Sequence, residues 1–167
     1  MFDYSLLLLF PAAMAFAGAM DMLTMTIPNR VSLLLLGAFL VAVPAAGLGL
    51  DAFLNHLGAG LLVFVVGFAI FAAGWIGGGD VKLLAASALW IGLDNLFPYL
   101  FLVTILGGQL ALIFLVLRGY FPEGSVRAPV WLLRLQAKET GVPYGLAIAG
   151  AALWLYPSTM LFKGLAF

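Results

Sequence analysis

Two carboxylates stand where the surrounding sequence makes a charge costly. Asp21 follows sixteen residues of nearly unbroken apolar sequence and is followed by Met22-Leu23-Thr24-Met25-Thr26-Ile27. Asp80 closes the run Gly77-Gly78-Gly79-Asp80 and precedes a thirteen-residue apolar stretch. An ionisable side chain inside apolar sequence of this kind is expensive in a bilayer and is a functional hypothesis by default. Two carboxyls close together in a low-dielectric site do not both ionise readily, and the pair shares one proton. The ionised member then activates water while the protonated member polarises a carbonyl, which is acid–base chemistry suited to splitting a peptide bond. Spacing along the chain does not by itself bring the two together.

Each residue also has a purely structural reading. Asp21 is an ordinary interfacial residue if its helix stops at Met20. If the helix continues to Pro28, Asp21 lies about two turns inside the end, with Thr24 and Thr26 as polar company. Asp80 is a good N-cap for the helix that follows. A cap does not account for three glycines, each of which surrenders the most backbone entropy in a helix.

Composition says what kind of element carries these residues. The 167 residues include seven Lys or Arg, seven Asp or Glu, 65% hydrophobic residues and 8% charged ones, with a mean hydropathy of +1.20. Soluble domains carry about 25% charged residues, so a soluble globule of this composition could not cover its own surface. A balanced charge gives no electrostatic footprint for nucleic acid. With no Cys and one His, disulfides, thiol chemistry, Cys-ligated zinc and His-rich metal sites are excluded. What is left is an all-α polytopic membrane protein, read as one domain over residues 1–167.

A spanning helix takes about 20 apolar residues. By that ruler the chain divides into six spans: Tyr4 to Met20 and on to Ile27, Val31 to Leu50, Leu57 to Trp75, Val81 to Leu93, Leu96 to Leu117, and Val142 to Leu161. The fourth is short, so its Gly-rich start is expected at membrane depth, where irregular backbone must be buried or line a water-filled cavity. Asp94-Asn95 and Asp3 read as interfacial, and His56, Asp51 and Asn55 read as a solvated loop between the second and third spans. Gly107-Gly108-Gln109 reads as helix packing through small residues. Arg30, Lys82, Arg118, Arg127, Arg134 and Lys138 fall at one set of ends, and Lys163 at the other. Cations accumulate on the cytoplasmic side, which places both termini outside and both aspartates near the cytoplasmic face. Ala15-Phe16-Ala17 resembles a signal cleavage site, but Met1-Phe2-Asp3 lacks the basic n-region, so the first segment is expected to be retained.

The motifs themselves carry a resemblance. Asp21 with Ile27-Pro28-Asn29, then Gly77-Gly78-Gly79-Asp80-Val81-Lys82, then Val142-Pro143-Tyr144-Gly145, are similar to the three cues of the type IV prepilin peptidases, which are GxGD intramembrane aspartyl proteases. The short length and missing Cys resemble the branch that serves Flp-type (tight-adherence) pili of bacteria. The resemblance implies Asp21 and Asp80 as the two catalytic aspartates, and Gly77 and Gly79 as glycines that let the backbone approach substrate. It implies no metal and no cofactor, a prepilin substrate, membrane lipids as surroundings, and residence in the cytoplasmic (inner) membrane. Lys82 matches a Lys usual in the motif, and snorkelling to the interface stands beside a catalytic role for it. Pro143 and Gly145 would shape substrate entry, against the plainer reading of a helix start with Pro in its first turn. One departure stands out: family members often carry basic residues between the first Asp and Ile-Pro-Asn, where this chain has none. Two other functions fit the bare residue pattern, a small proton- or cation-coupled transporter and a non-catalytic membrane subunit of a secretion machine. Inverted repeats or a matched pair of broken helices would favour the transporter.

Overall fold

The computed structural model describes residues 2–120, 133 and 141–166. Apolar runs between glycines, prolines and polar turns form α1 (Phe2–Thr24), α2 (Asn29–Ala45), α3 (Leu50–Ala72), α4 (Gly78–Ile91), α5 (Leu96–Tyr120), α6 (Tyr144–Leu155) and α7 (Met160–Ala166). No strand occurs among the described residues. All six apolar segments are helical, but the expected six spans are not what the helix lengths support. Ser5–Thr24, Leu50–Ala72 and Leu93–Tyr120 are long and apolar enough to cross a membrane, and α6 with α7 makes a fourth if that bent pair is one span. At 17 and 14 residues, α2 and α4 reach only about 25 and 21 Å, short of a hydrocarbon core of about 30 Å.

Helix ends explain the remaining differences. The last apolar segment does not run straight to Leu161. It bends by 58° at Tyr156–Thr159, where Pro157 removes a backbone donor and the Thr159 hydroxyl caps α7 by accepting from the Phe162 amide at 3.1 Å. The third segment begins at Leu50 rather than Leu57, because no breaker lies between them and Asp51 suits a first turn.

That earlier start corrects the reading of His56 and Asn55, which belong to α3 rather than to a solvated loop. His56 is buried, with Nδ1 2.7 Å from the Leu89 carbonyl. Asn55 Oδ1 accepts from the Leu93 amide at 2.9 Å, and its Nδ2 donates to Asp94 at 3.1 Å. The Leu89 carbonyl and the Leu93 amide are the two groups that would otherwise join to add a turn to α4. α3 takes both and so ends α4 from outside. Gly92 makes the exit with φ 78° and ψ 164°, a region essentially restricted to glycine. A Cβ there would also sit 2.9 Å from Asn55 Oδ1. Gly92→Ala is therefore expected to destabilise the protein by about 2 kcal/mol, read as a lower thermal midpoint in detergent.

α4 sits at the centre, packed by α2, α3, α5 and α6. Its Trp90 is fully buried, stacks on Phe10 at 5.0 Å and donates to the Leu35 carbonyl at 3.0 Å. Gly60 and Gly67 let α3 lie against Leu89 and Val81 of α4. These pairs, with Gly18 of α1 against Ala149 of α6 and Gly107 of α5 against Tyr144, set the directions. α1 and α3 end where α2, α4 and α6 begin, while α5 passes the start of α6 at Gly107 and runs on to Tyr120.

Candidate active site

Three helix N-termini therefore meet at one end of the bundle, and that is where both carboxylates lie. An N-terminus carries roughly half a positive charge and free backbone N–H groups, so it favours an anion.

Asp21 occupies the last turn of α1, one turn from its end rather than two. α1 stops at Thr24 because Met25 takes a left-handed conformation, φ 55°, three residues before Pro28. Such a conformation costs a non-glycine residue about 1–2 kcal/mol. Thr26 lines a hollow with Asp21, but neither Thr24 nor Thr26 bonds to the carboxylate. Their hydroxyls pair with each other at 2.8 Å, and that of Thr24 also donates to the Met20 carbonyl at 2.7 Å. Asp21 is 6% exposed, and its Oδ2 accepts from the Gly145 amide at 2.7 Å. Gly145 is the second residue of α6, whose N-cap, Pro143, makes no side-chain cap hydrogen bond. Asp21 thus does for α6 what a capping side chain would do.

Asp80 is not an N-cap. Gly77 holds that position and α4 starts at Gly78, so two of the three glycines and Asp80 form its first turn. The Asp80 carboxylate reaches back to accept from the Gly77 amide, the reciprocal half of a capping box. None of the three glycines has a positive φ. Space, not conformation, is what selects Gly77. A Cβ on Gly77 would lie 2.9 Å from Asp80 Oδ2, whereas one on Gly79 would meet Ile27 at an ordinary 3.5 Å. Gly77→Ala is expected to push the carboxylate aside and cut activity about tenfold, and Gly79→Ala to change it little. Initial rates of the two variants on one peptide substrate would compare them.

The two carboxyls face common space. One hollow of about 860 Å³ is lined by Asp21, Asp80, Met25, Trp75, Val142 and Tyr144, among others. An adjoining one of about 280 Å³ has Asp21 and Asp80 with Thr26, Ile27, Asn29 and Gly79 in its wall. The Asp21 carboxylate also acts electrostatically on Asp80. Two carboxyls on one hollow, each held by a backbone amide, can share a proton across a bound carbonyl and water.

The other motif residues fall around this pair in supporting positions. Lys82 Nζ donates to Asn29 Oδ1 at 3.0 Å, joining the start of α4 to the start of α2. Gly145 touches Asp21 directly, and Pro143 is buried behind it as the cap of α6. Gly107 on α5 leaves room for the ring of Tyr144, so its role is helix packing that also shapes the hollow. Met25 and Tyr144 line the hollow without having stood out in the sequence. The one signal for Met25 was its place between an apolar helix and Pro28. Arg30, Lys82 and Arg118 lie at this end and Lys163 at the far one. Arg127, Arg134, Lys138, Glu123 and Glu139 lie outside the described residues. Among the described residues, no group of three or more His, Cys, Asp or Glu comes together as a metal site.

Residues 8–113 match the family model described as the type IV leader peptidase family. That span is more than half of the chain and holds both aspartates and all three glycines, while Pro143 and Gly145 fall beyond it. No curated protein and no solved structure matches.

Proposed function

We propose a function from one premise: the chain belongs to the type IV leader peptidase family. Membership makes it a membrane-bound protease acting on a prepilin-type substrate. Our reading is narrower, an intramembrane aspartic endopeptidase in which Asp21 and Asp80 do the chemistry on a Flp-type pilin precursor. The observation that carries it is the pair of carboxyls, from α1 and α4, on one hollow at the end where three helices begin.

In this mechanism one carboxyl of the pair is ionised and the other holds a proton. The ionised one accepts a proton from water as the water oxygen attacks the scissile carbonyl carbon. The protonated one donates to the carbonyl oxygen, giving a tetrahedral diol. Collapse of the diol breaks the C–N bond. The carboxyl that took the water proton passes it to the leaving nitrogen, and the other regains its own from the diol hydroxyl. The Gly145 and Gly77 amides hold the two carboxylates in place throughout.

The surface supports a site near the membrane interface. Trp75 is 85% exposed beside the carboxylate hollow, and Phe97 and Trp154 are 80% and 79% exposed at the other end. Exposed aromatic rings at two levels are the expected belt at the edges of a bilayer. The cations at the active end favour a cytoplasmic face for it, in a bacterial inner membrane, with both termini outside. A leader in the cytoplasm joined to an apolar helix in the membrane would then be cut between the two. The transporter reading would want a second break at the depth of the Gly77 turn. The bend between α6 and α7 is instead a full helix, about 18 Å, from the carboxylates.

The test is to mix the purified protein in detergent with Flp-type precursors and to sequence the new N-terminus by mass spectrometry. Cleavage between leader and apolar helix is the expected result, and intact precursors would overturn the substrate assignment. A strong chelator is expected to leave the rate unchanged, because both acid–base roles fall to carboxyls. A rate abolished by the chelator and restored by metal would overturn the aspartic mechanism.

A further inference from the structure

A second concave surface, sharing only Asn29 with the carboxylate hollows, runs between α2, α3 and α4. Its volume is about 450 Å³, and its walls include Leu33, Leu36, Leu61 and Phe64, with Ala85 and Ala86 as the floor. At the end nearest the active site it meets Asn29, Ser32 and Lys82. Ser32 is 6% exposed, yet its hydroxyl has no hydrogen-bond partner among the described residues. A buried hydroxyl left unpaired costs about 1–3 kcal/mol. Lys82 brings an ammonium with three donors, of which Asn29 takes one. Among the described residues no carboxylate pairs with it.

We propose that this groove binds one anionic glycerophospholipid of the surrounding membrane. Its headgroup phosphate or glycerol ester oxygen would sit at Lys82 and Ser32, and an acyl chain along Leu33, Leu36, Leu61 and Phe64. The donors at the closed end select the ligand's chemistry. An unpaired serine hydroxyl in the groove's wall and a lysine beside it call for an acceptor carrying negative charge. A phospholipid supplies that together with a long apolar chain.

Size separates this occupant from a partner helix. The lining residues span eight positions on each helix, Asn29 to Leu36, Leu57 to Phe64 and Lys82 to Leu89, or about 10 Å of length. An α-helix rises about 5.4 Å per turn, so the groove would seat only about two turns of a partner's spanning helix. A transmembrane helix also satisfies its own backbone groups and offers no free acceptor to Ser32. The groove wall is continuous with the lipid-facing surface, since Leu33, Leu61 and Phe64 are 66%, 55% and 46% exposed.

The test uses full-length protein in phosphatidylcholine vesicles carrying a trace of spin-labelled phosphatidylglycerol or, in a second arm, spin-labelled phosphatidylcholine. Wild type should show an immobilised phosphatidylglycerol component well above that of phosphatidylcholine. Ser32→Ala should weaken it about tenfold, the order expected for loss of one charge-assisted hydrogen bond. Ala86→Phe, which fills the floor, should abolish it, and Leu112→Ala on the exposed face of α5 should leave it intact. Equal immobilisation of the two lipids would overturn the proposal, as would a signal that ignores both Ser32→Ala and Ala86→Phe. The chain has no Cys, so Leu36→Cys provides a unique thiol for cross-linking. Efficient cross-linking there to the apolar segment of a pilin precursor, or to a second copy of the chain, would give the groove to that partner and overturn the lipid. This inference does not depend on the proteolytic reading, because its readout is lipid immobilisation rather than cleavage.

Discussion

Asp21→Asn and Asp80→Asn are each expected to lower precursor cleavage by about a thousandfold or more while the protein still inserts. General acid–base catalysis by a positioned group is worth about 10²–10⁴-fold, and here each substitution removes more than one proton-transfer role. An amide cannot accept the water proton at either position. At Asp21 the change also disturbs a bond that holds the site, because the Gly145 amide donates to a carboxyl oxygen at 2.7 Å. The two roles belong to one unit, so the double variant should be scarcely worse than either single one. The rate in wild type should fall on both sides of an optimum pH, because the pair must hold one proton, neither none nor two. The limbs of that profile belong to the pair and not to either residue. Cleavage retained in a well-inserted Asp21→Asn or Asp80→Asn protein would sink the assignment of both aspartates.

Gly145→Ala is the second large expectation, with a loss of about a hundredfold, although Gly145 has no side chain to do chemistry. A Cβ there would lie 2.8 Å from Asp21 Oδ2, 2.8 Å from Ile27 Cδ1 and 3.0 Å from Asp21 Cβ. The carboxylate end can swing, but Asp21 Cβ is fixed to α1, so α1 and α6 must separate or the amide bond must lengthen. A displacement near 1 Å in a catalytic group costs about 10²-fold. Local helix propensity predicts the opposite sign, since Ala is favoured over Gly by about 1 kcal/mol inside a helix. The comparison is Gly150→Ala on the same helix, where a Cβ would meet only Leu106 at 3.5 Å. That variant should keep its activity and gain slightly in thermal midpoint. A Gly145→Ala protein that is both more stable and fully active would show that the amide does not hold Asp21 in the working enzyme.

The contrast between Gly145 and Asp21 marks how far the sequence could be read. Asp21 was conspicuous because the free energy of placing a carboxyl among apolar residues depends on residue type and near neighbours, and these stand together in the chain. The same reasoning isolated Asp80, the six apolar segments and the end of the bundle that collects cations. Gly145 stood out only through its motif, which implied substrate entry and not support of Asp21. Its importance lies in a contact with a residue 124 positions away, and a glycine before an apolar helix looks the same whether or not a carboxylate rests against it. His56 and Asn55 were misread for a related reason. Polar residues near a span boundary suggest a loop, whereas their partners are the Leu89 carbonyl and Leu93 amide of another helix.

By itself, then, the sequence determined that this is a helical membrane protein with two acidic residues out of place, because transfer free energies add along a chain without reference to its fold. Only the tertiary structure decided that both acids face one hollow, that helix N-termini surround them, and that α2 falls short of a full span as α4 does. Those outcomes depend on which helix ends meet and which backbone groups are left free there. They come from packing between segments far apart in sequence, and no local pattern encodes them.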